Sequence, residues 1–163
     1  MKNDYKITSD DIEFIQKLEE TGKFNSMQMF EIEIGLQQGV NVNIYAKDFY
    51  NYRHMSEIRE GLLTGVDVEI YADPRFDNAQ MYQIKIGLQQ HLDVSIYAKD
   101  YYSYEQMYEI REGLLAGLDI SLYANPEFTS CRMCEIREGL LEGIDVSSLV
   151  QPNPSYERMK EFE

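Results

Sequence analysis

An all-α solenoid is the fold this chain predicts, and three observations carry the prediction. Met29, Met55, Met81, Met107, Met133 and Met159 recur at intervals of 26 residues without a slip. Around five of them the chain repeats Met-x-x-Ile-x-x-Gly-Leu-x-x-(Gly)-apolar-(Asp/Asn)-apolar, followed in four copies by Tyr-Ala. Helix start and stop signals bracket the same stretch of each copy. A fixed period of this length marks a repeat array, in which each unit buries its apolar face against its neighbours. The expected build is one domain of about five repeats over residues 24–150, each a long helix followed by a short α or 3₁₀ helix. An N-terminal capping helix (1–23) and a truncated C-terminal cap (151–163) flank them.

The first element stands outside the repeat. Residues 8–22 read as a helix with Ser9 or Asp10 as its cap, Ile12, Ile15 and Leu18 on its inner face, and Gly22 as its terminator. The long helices follow. Asp77 with Gln80, and Ser103 with Gln106, have capping-box spacing, while Phe76 with Met81 and Tyr102 with Met107 occupy the positions of a hydrophobic staple. Met107, Ile110 and Leu114 then form one apolar stripe. Gly39, Gly65, Gly117 and Gly143 each precede an apolar residue, the pattern of a left-handed helix ending, and His91 takes the glycine's place in the third copy.

The segment after each glycine can be read two ways. Val66-Asp67-Val68-Glu69-Ile70 alternates like a strand, which would give a leucine-rich-repeat-like α/β solenoid. However, Asn41, Asp67, Asp93, Asp119 and Asp145 share one column, and these are poor strand residues but good helix caps. Val68, Tyr71 and Ala72 then fall on one face, and Pro74 and Pro126 close the segment. The short helix is the better reading. After the fifth copy Pro152 and Pro154 interrupt the pattern, and Ser155–Glu163 restarts it, with Tyr156 and Met159 closing the far end.

Glycine also recurs inside the long helix, at Gly35, Gly61, Gly87, Gly113 and Gly139. A mid-helix glycine costs about 1 kcal/mol against alanine, so close approach of the neighbouring helix is expected there.

A second period of 52 residues overlies the first. Ile34 and Ile86 stand in a column that holds Glu60, Glu112 and Glu138 in the other copies. The linkers after those two copies carry Phe49, Tyr52, Tyr101 and Tyr104 where the others have Arg75, Asn78, Glu127 and Ser130. These six apolar residues lie off the repeat's own stripe. Either they pack locally, or they form aromatic and aliphatic patches of the kind that bind proteins.

The chain carries 15 basic and 29 acidic residues, a formal net charge of −14. Such a surface repels phosphate backbones and argues against direct nucleic-acid binding. The N-terminal residues form no signal peptide, and no apolar run is long enough to span a membrane. A cytoplasmic protein is expected.

Candidate chemistry is thin. Cys131 and Cys134 form a lone Cys-x-x-Cys, but tetrahedral zinc needs four ligands, and His54 and His91 lie in other repeats. Glu57, Glu109 and Glu135, with Arg59, Arg111 and Arg137 two positions on, read as a salt-bridge ladder rather than catalytic carboxylates. No catalytic, cofactor-binding or metal residue is expected, and no cofactor.

The sentence Gln-Met-x-x-Ile-Arg-x-Gly-Leu-x-x-Gly-x-Asp-Val-Ser-x-Tyr-Ala-x-Pro-x-Phe, spread over residues 24–150, resembles a tandem repeat of uncharacterised proteins from gut bacteria and their mobile elements. In build it is similar to leucine-rich-variant repeats, which alternate α and 3₁₀ helices. The first resemblance implies no activity, though an association with mobile elements would suit an inhibitor of host defence. Function is therefore expected to be non-enzymatic binding of a protein or peptide, with Phe49, Tyr52, Tyr101, Tyr104, Ile34 and Ile86 as contact residues. The alternative is an acidic mimic of nucleic acid that blocks a nuclease or other DNA-binding protein through Glu57, Glu60, Glu109, Glu112, Glu135 and Glu138.

Overall fold

Capping boxes and left-handed glycines set the helix boundaries. The computed structural model describes residues 6–151; the C-terminal cap expected around Tyr156 and Met159 lies outside them. Six α-helices run in chain order: α1 (Ser9–Thr21), α2 (Ser26–Gln37), α3 (Tyr52–Thr64), α4 (Asn78–Gln89), α5 (Tyr104–Leu115) and α6 (Ser130–Glu142). Three-residue 3₁₀ helices follow four of them, at Val42–Ile44, Val68–Ile70, Val94–Ile96 and Ile120–Leu122. The fold is all-α, and no strand occurs among the described residues. The α/β alternative fails because Asn41, Asp67, Asp93 and Asp119 each accept the backbone N–H two residues on, which caps a 3₁₀ turn. In the fifth copy Val146–Val150 holds turns only.

The chain divides into two compact units between Asp100 and Tyr101. In the first, α1 packs on α2, α2 on α3 and α3 on α4; in the second, α5 packs on α6. The first three repeats supply the same buried core set, as with Met55, Ile58, Val68 and Tyr71 in α3 and its return segment. α1 is the exception. Thr8 caps it, in a reciprocal box with Asp11, rather than Ser9 or Asp10. None of its residues is buried, as befits an end piece. Gly39, Gly65, Gly117 and Gly143 all take positive φ, and His91 joins them at 58°.

The glycines inside the long helices answer to a different neighbour from the one expected. A Cβ built on Gly61 would lie 1.8 Å from the Tyr71 hydroxyl and 2.8 Å from Val68 Cγ1, so the close approach comes from the repeat's own return segment. Gly35, Gly87 and Gly113 meet Tyr45, Tyr97 and Tyr123 in the same way. Through this notch each tyrosine hydroxyl donates to the helix carbonyl four residues before the glycine. Tyr45 reaches Glu31 at 3.0 Å, Tyr71 reaches Glu57 at 3.1 Å, Tyr97 reaches Gln83 at 3.2 Å and Tyr123 reaches Glu109 at 3.3 Å. A carbonyl has two lone pairs, so it serves the helix and the tyrosine together.

A second set of contacts ties each repeat to the linker that follows the next short helix. Gln28 Nε2 donates to Tyr50 O at 2.6 Å, and Gln106 Nε2 to Phe128 O at 2.6 Å. Arg132 does the same job in α6, with Nε on Leu149 O at 2.7 Å. His54 occupies this column in α3. Its ring stands edge-on to Tyr50, and its Nδ1 is buried without a hydrogen-bond partner. Burial holds its pKa below the ordinary histidine value, against a smaller opposing pull from Asp77.

Two outcomes follow from this packing. Gly61→Ala should destabilise the protein by about 1–3 kcal/mol, the usual cost of overpacking, while Tyr71→Phe should cost about 1 kcal/mol for its hydrogen bond. In the Y71F background the alanine meets no hydroxyl, so the double variant should be more stable than the sum of the singles by at least about 1 kcal/mol. Urea midpoints that simply add would refute the notch. His54→Gln should change the pH dependence of stability. The unfolded chain takes up a proton near pH ~6.5 and the folded chain only lower. The parent therefore keeps its full stability above that value and loses it as pH falls through the interval below. The variant should melt higher than the parent by a margin that widens from pH 7.5 to pH 5.5, and a constant margin would rule out a titrating His54.

Candidate functional site

The acidic column proves to be a ladder within the helix packing. Arg59 Nε lies 2.9 Å from Glu31 Oε2, Lys85 Nζ lies 2.7 Å from Glu57 Oε2, and Arg137 Nε lies 2.7 Å from Glu109 Oε2. Each rung joins a cation to a carboxylate 28 residues earlier, on the preceding helix. The cation column has a lysine in the third copy, at Lys85, whose side chain is only 3 % exposed and touches Glu60 as well at 2.5 Å. Burial disfavours its charged form, but these two carboxylates outweigh that and raise its pKa. For Glu57 the balance tips the other way. Desolvation exceeds the pull of Lys85 and raises the carboxyl above its ordinary value. Glu109 still holds Arg137 firmly protonated, against the desolvation that opposes it.

These rungs change the meaning of the expected acidic face. Glu109 is buried and Glu57 half-buried. Glu60, Glu112 and Glu138 contact Lys85, Arg111 and Arg137 at 2.5, 2.7 and 2.8 Å. Of the six carboxylates, Glu135 alone is exposed without one of these ion pairs among the described residues. Five of the six carboxylates are thus held in contacts with Lys85, Arg111 and Arg137 rather than standing free toward a basic groove.

The aromatic candidates lie elsewhere, in the linkers that enter α3 and α5. Phe49 and Tyr101 are 58 % and 60 % exposed, the two most open of the large apolar side chains described. Each stands tilted on a buried neighbour, Tyr50 at 4.6 Å and Tyr102 at 4.9 Å between ring centroids. Those neighbours do the packing: the Tyr50 hydroxyl donates to Ala72 O at 2.5 Å, and that of Tyr102 to Ala124 O at 2.8 Å. Tyr104 is exposed, whereas Tyr52, Ile34 and Ile86 are half-buried. The Tyr52 hydroxyl accepts from Arg53 Nε at 3.1 Å. Phe49 and Tyr52 belong to the first unit, and Tyr101 and Tyr104 to the second.

One row of side chains escaped the sequence reading. Phe30, Tyr82 and Tyr108 are exposed on α2, α4 and α5, in one column of the repeat, with Lys85 over the Tyr82 ring at 5.3 Å and Arg111 over the Tyr108 ring at 5.4 Å. The signal was present in the 26-residue spacing, but Ser56 and Cys134 interrupt the column and hide it.

Cys131 is exposed and Cys134 half-buried. Burial pushes the Cys134 thiol up, the opposite of the shift that activates a thiolate. No group of three or more potential metal-binding side chains occurs among the described residues. No described helix is long and apolar enough to cross a membrane.

Comparison with protein families, with curated proteins and with solved structures found no match to this chain.

Proposed function

We propose that this protein is a non-enzymatic interaction module: a short α-solenoid of five 26-residue repeats that binds a protein or peptide in the cytoplasm. The exposure of Phe49 and Tyr101 carries this reading. Both sit above a buried tyrosine that already fills the linker's packing role, so the fold does not need them. Aromatic side chains offer large contact area at small entropic cost and are enriched at the centres of protein interfaces. The blocking of a DNA-binding protein by mimicry draws less support, because the carboxylates expected to do it are mostly ion-paired.

A photo-crosslinking residue placed at position 49 or 101 tests the reading. In the native host it should capture a discrete protein that the same residue at exposed Glu13 on α1 does not. The fourfold variant Phe49→Arg, Tyr52→Asn, Tyr101→Glu, Tyr104→Ser takes its replacements from the other linkers and should keep the helical signal. Its affinity for the captured protein should fall by about 2 kcal/mol or more. Identical capture at position 13, or unchanged affinity in the folded variant, would overturn the reading.

A further inference from the structure

The C-terminal ends of α3 and α4 flank an open cleft of about 350 Å³ lined by Thr64, Gly65, Val66, Asp67, Leu88, Gln89 and His91. That volume lies at the low end of ligand sites, so it suits a single long side chain better than a whole metabolite. We infer that it receives an arginine side chain from a basic segment of a protein partner. The site lies at the opposite end of α3 from Phe49 and Tyr52. It deepens the interaction reading, but its test needs no natural partner.

The chemistry of the walls selects the occupant. Val66 and Leu88 are half-buried apolar side chains, able to cover an aliphatic stem. The polar lining offers acceptors. Asp67 spends Oδ1 on the Glu69 N–H at 3.1 Å, which leaves its second carboxylate oxygen for a cation. Gln89 donates Nε2 to Thr64 Oγ1 at 3.1 Å, and an amide that donates through nitrogen presents its oxygen as an acceptor. The C-terminal ends of the two helices also carry the negative end of the helix dipole. A guanidinium, with five donors in a planar fork and a permanent charge, matches several acceptors at once.

The charge distribution favours the same occupant. No described helix has a basic residue in its last turn. From helix end through return segment, residues 37–44, 63–70, 89–96, 115–122 and 141–148 hold six carboxylates and no Lys or Arg. The chain's own cations therefore do not compete for this edge. At the other end of the helices Arg75 pairs with Asp73 at 2.7 Å and Lys23 with Asp48 at 3.6 Å.

Titration of the ¹⁵N-labelled protein with the blocked peptide Gly-Gly-Arg-Gly-Gly tests the inference, with citrulline in place of arginine as the neutral control. Amide shifts should concentrate at Thr64, Gly65, Asp67, Gln89 and His91, and the citrulline peptide should leave them unmoved. Asp67→Asn should weaken the arginine peptide by roughly 5-fold or more, the upper range for one exposed ion pair. The cap should survive this change, because Asn41 caps its own short helix through Oδ1 on the Asn43 N–H at 3.2 Å. Equal shifts around Asp93 or Asp119 would show diffuse attraction to acid and overturn the inference. So would full affinity in D67N, or equal binding of the citrulline peptide. None of these results bears on Phe49 or Tyr101, whose crosslinking stands or falls alone.

Discussion

The contact between a tyrosine hydroxyl and a glycine-bared helix carbonyl sets the geometry of the first four repeats. It joins the long helix to its return segment at one fixed distance, because the hydroxyl reaches the carbonyl only where a side chain is missing. The tyrosines are fully buried. Desolvation pushes the Tyr123 hydroxyl up to about 12, and those of Tyr45 and Tyr71 well above the ordinary value, so each remains a neutral donor at any physiological pH. The fifth copy shows what depends on the contact. Leu149 replaces the tyrosine there, Gly139 faces only Val146, and the 3₁₀ helix gives way to turns.

Contacts between repeats are polar and buried, an unusual choice for a small core. An ion pair such as Arg137–Glu109 adds little net stability once desolvation is counted, and breaking it would strand a buried charge. Its value here lies in register. A helix shifted by one residue relative to its neighbour would strand Arg59 and Lys85 away from their carboxylates and separate Gln28 from the Tyr50 carbonyl. The methionine and isoleucine stripe cannot discriminate in that way, since apolar contacts carry no direction. The polar rungs therefore specify the packing that the apolar stripe drives.

Much of the fold was legible in the sequence, because its signals are local. Capping residues act over three positions and left-handed glycines over one, so Asp77, Ser103 and Gly65 could be read without knowing what lies nearby. Reasoning failed where contact partners are remote. The glycines in the long helices clearly needed a close neighbour, but spacing alone could not separate an adjacent helix from Tyr71 in the same repeat. One local signal was also misread: Thr8 rather than Ser9 caps α1, because its reciprocal bond to Asp11 decides among adjacent capping residues. At the candidate sites, composition flagged Phe49 and Tyr101 correctly as off the core stripe. It misplaced Glu109, because a carboxylate looks solvent-facing until its cation is located one helix away. The cleft beside Asp67 left no trace in the sequence, since it is a space between two helix ends rather than a pattern of residues.

The fixed offsets between repeats have an evolutionary consequence. The tyrosine contact closes within one copy, and the rungs at Arg59–Glu31, Lys85–Glu57 and Arg137–Glu109 all span the same 28 positions. A 26-residue stretch copied by unequal recombination from the second, fourth or fifth repeat, where Glu57 with Arg59, Glu109 with Arg111 and Glu135 with Arg137 hold both halves of a rung, would therefore arrive with its junction already matched. Such a gene can lengthen or shorten in whole units without a period of misfit, and its descendants can vary the linker aromatics independently. Inheritance then acts on the number of copies and on the decoration of the linkers, while the joints between copies stay the same.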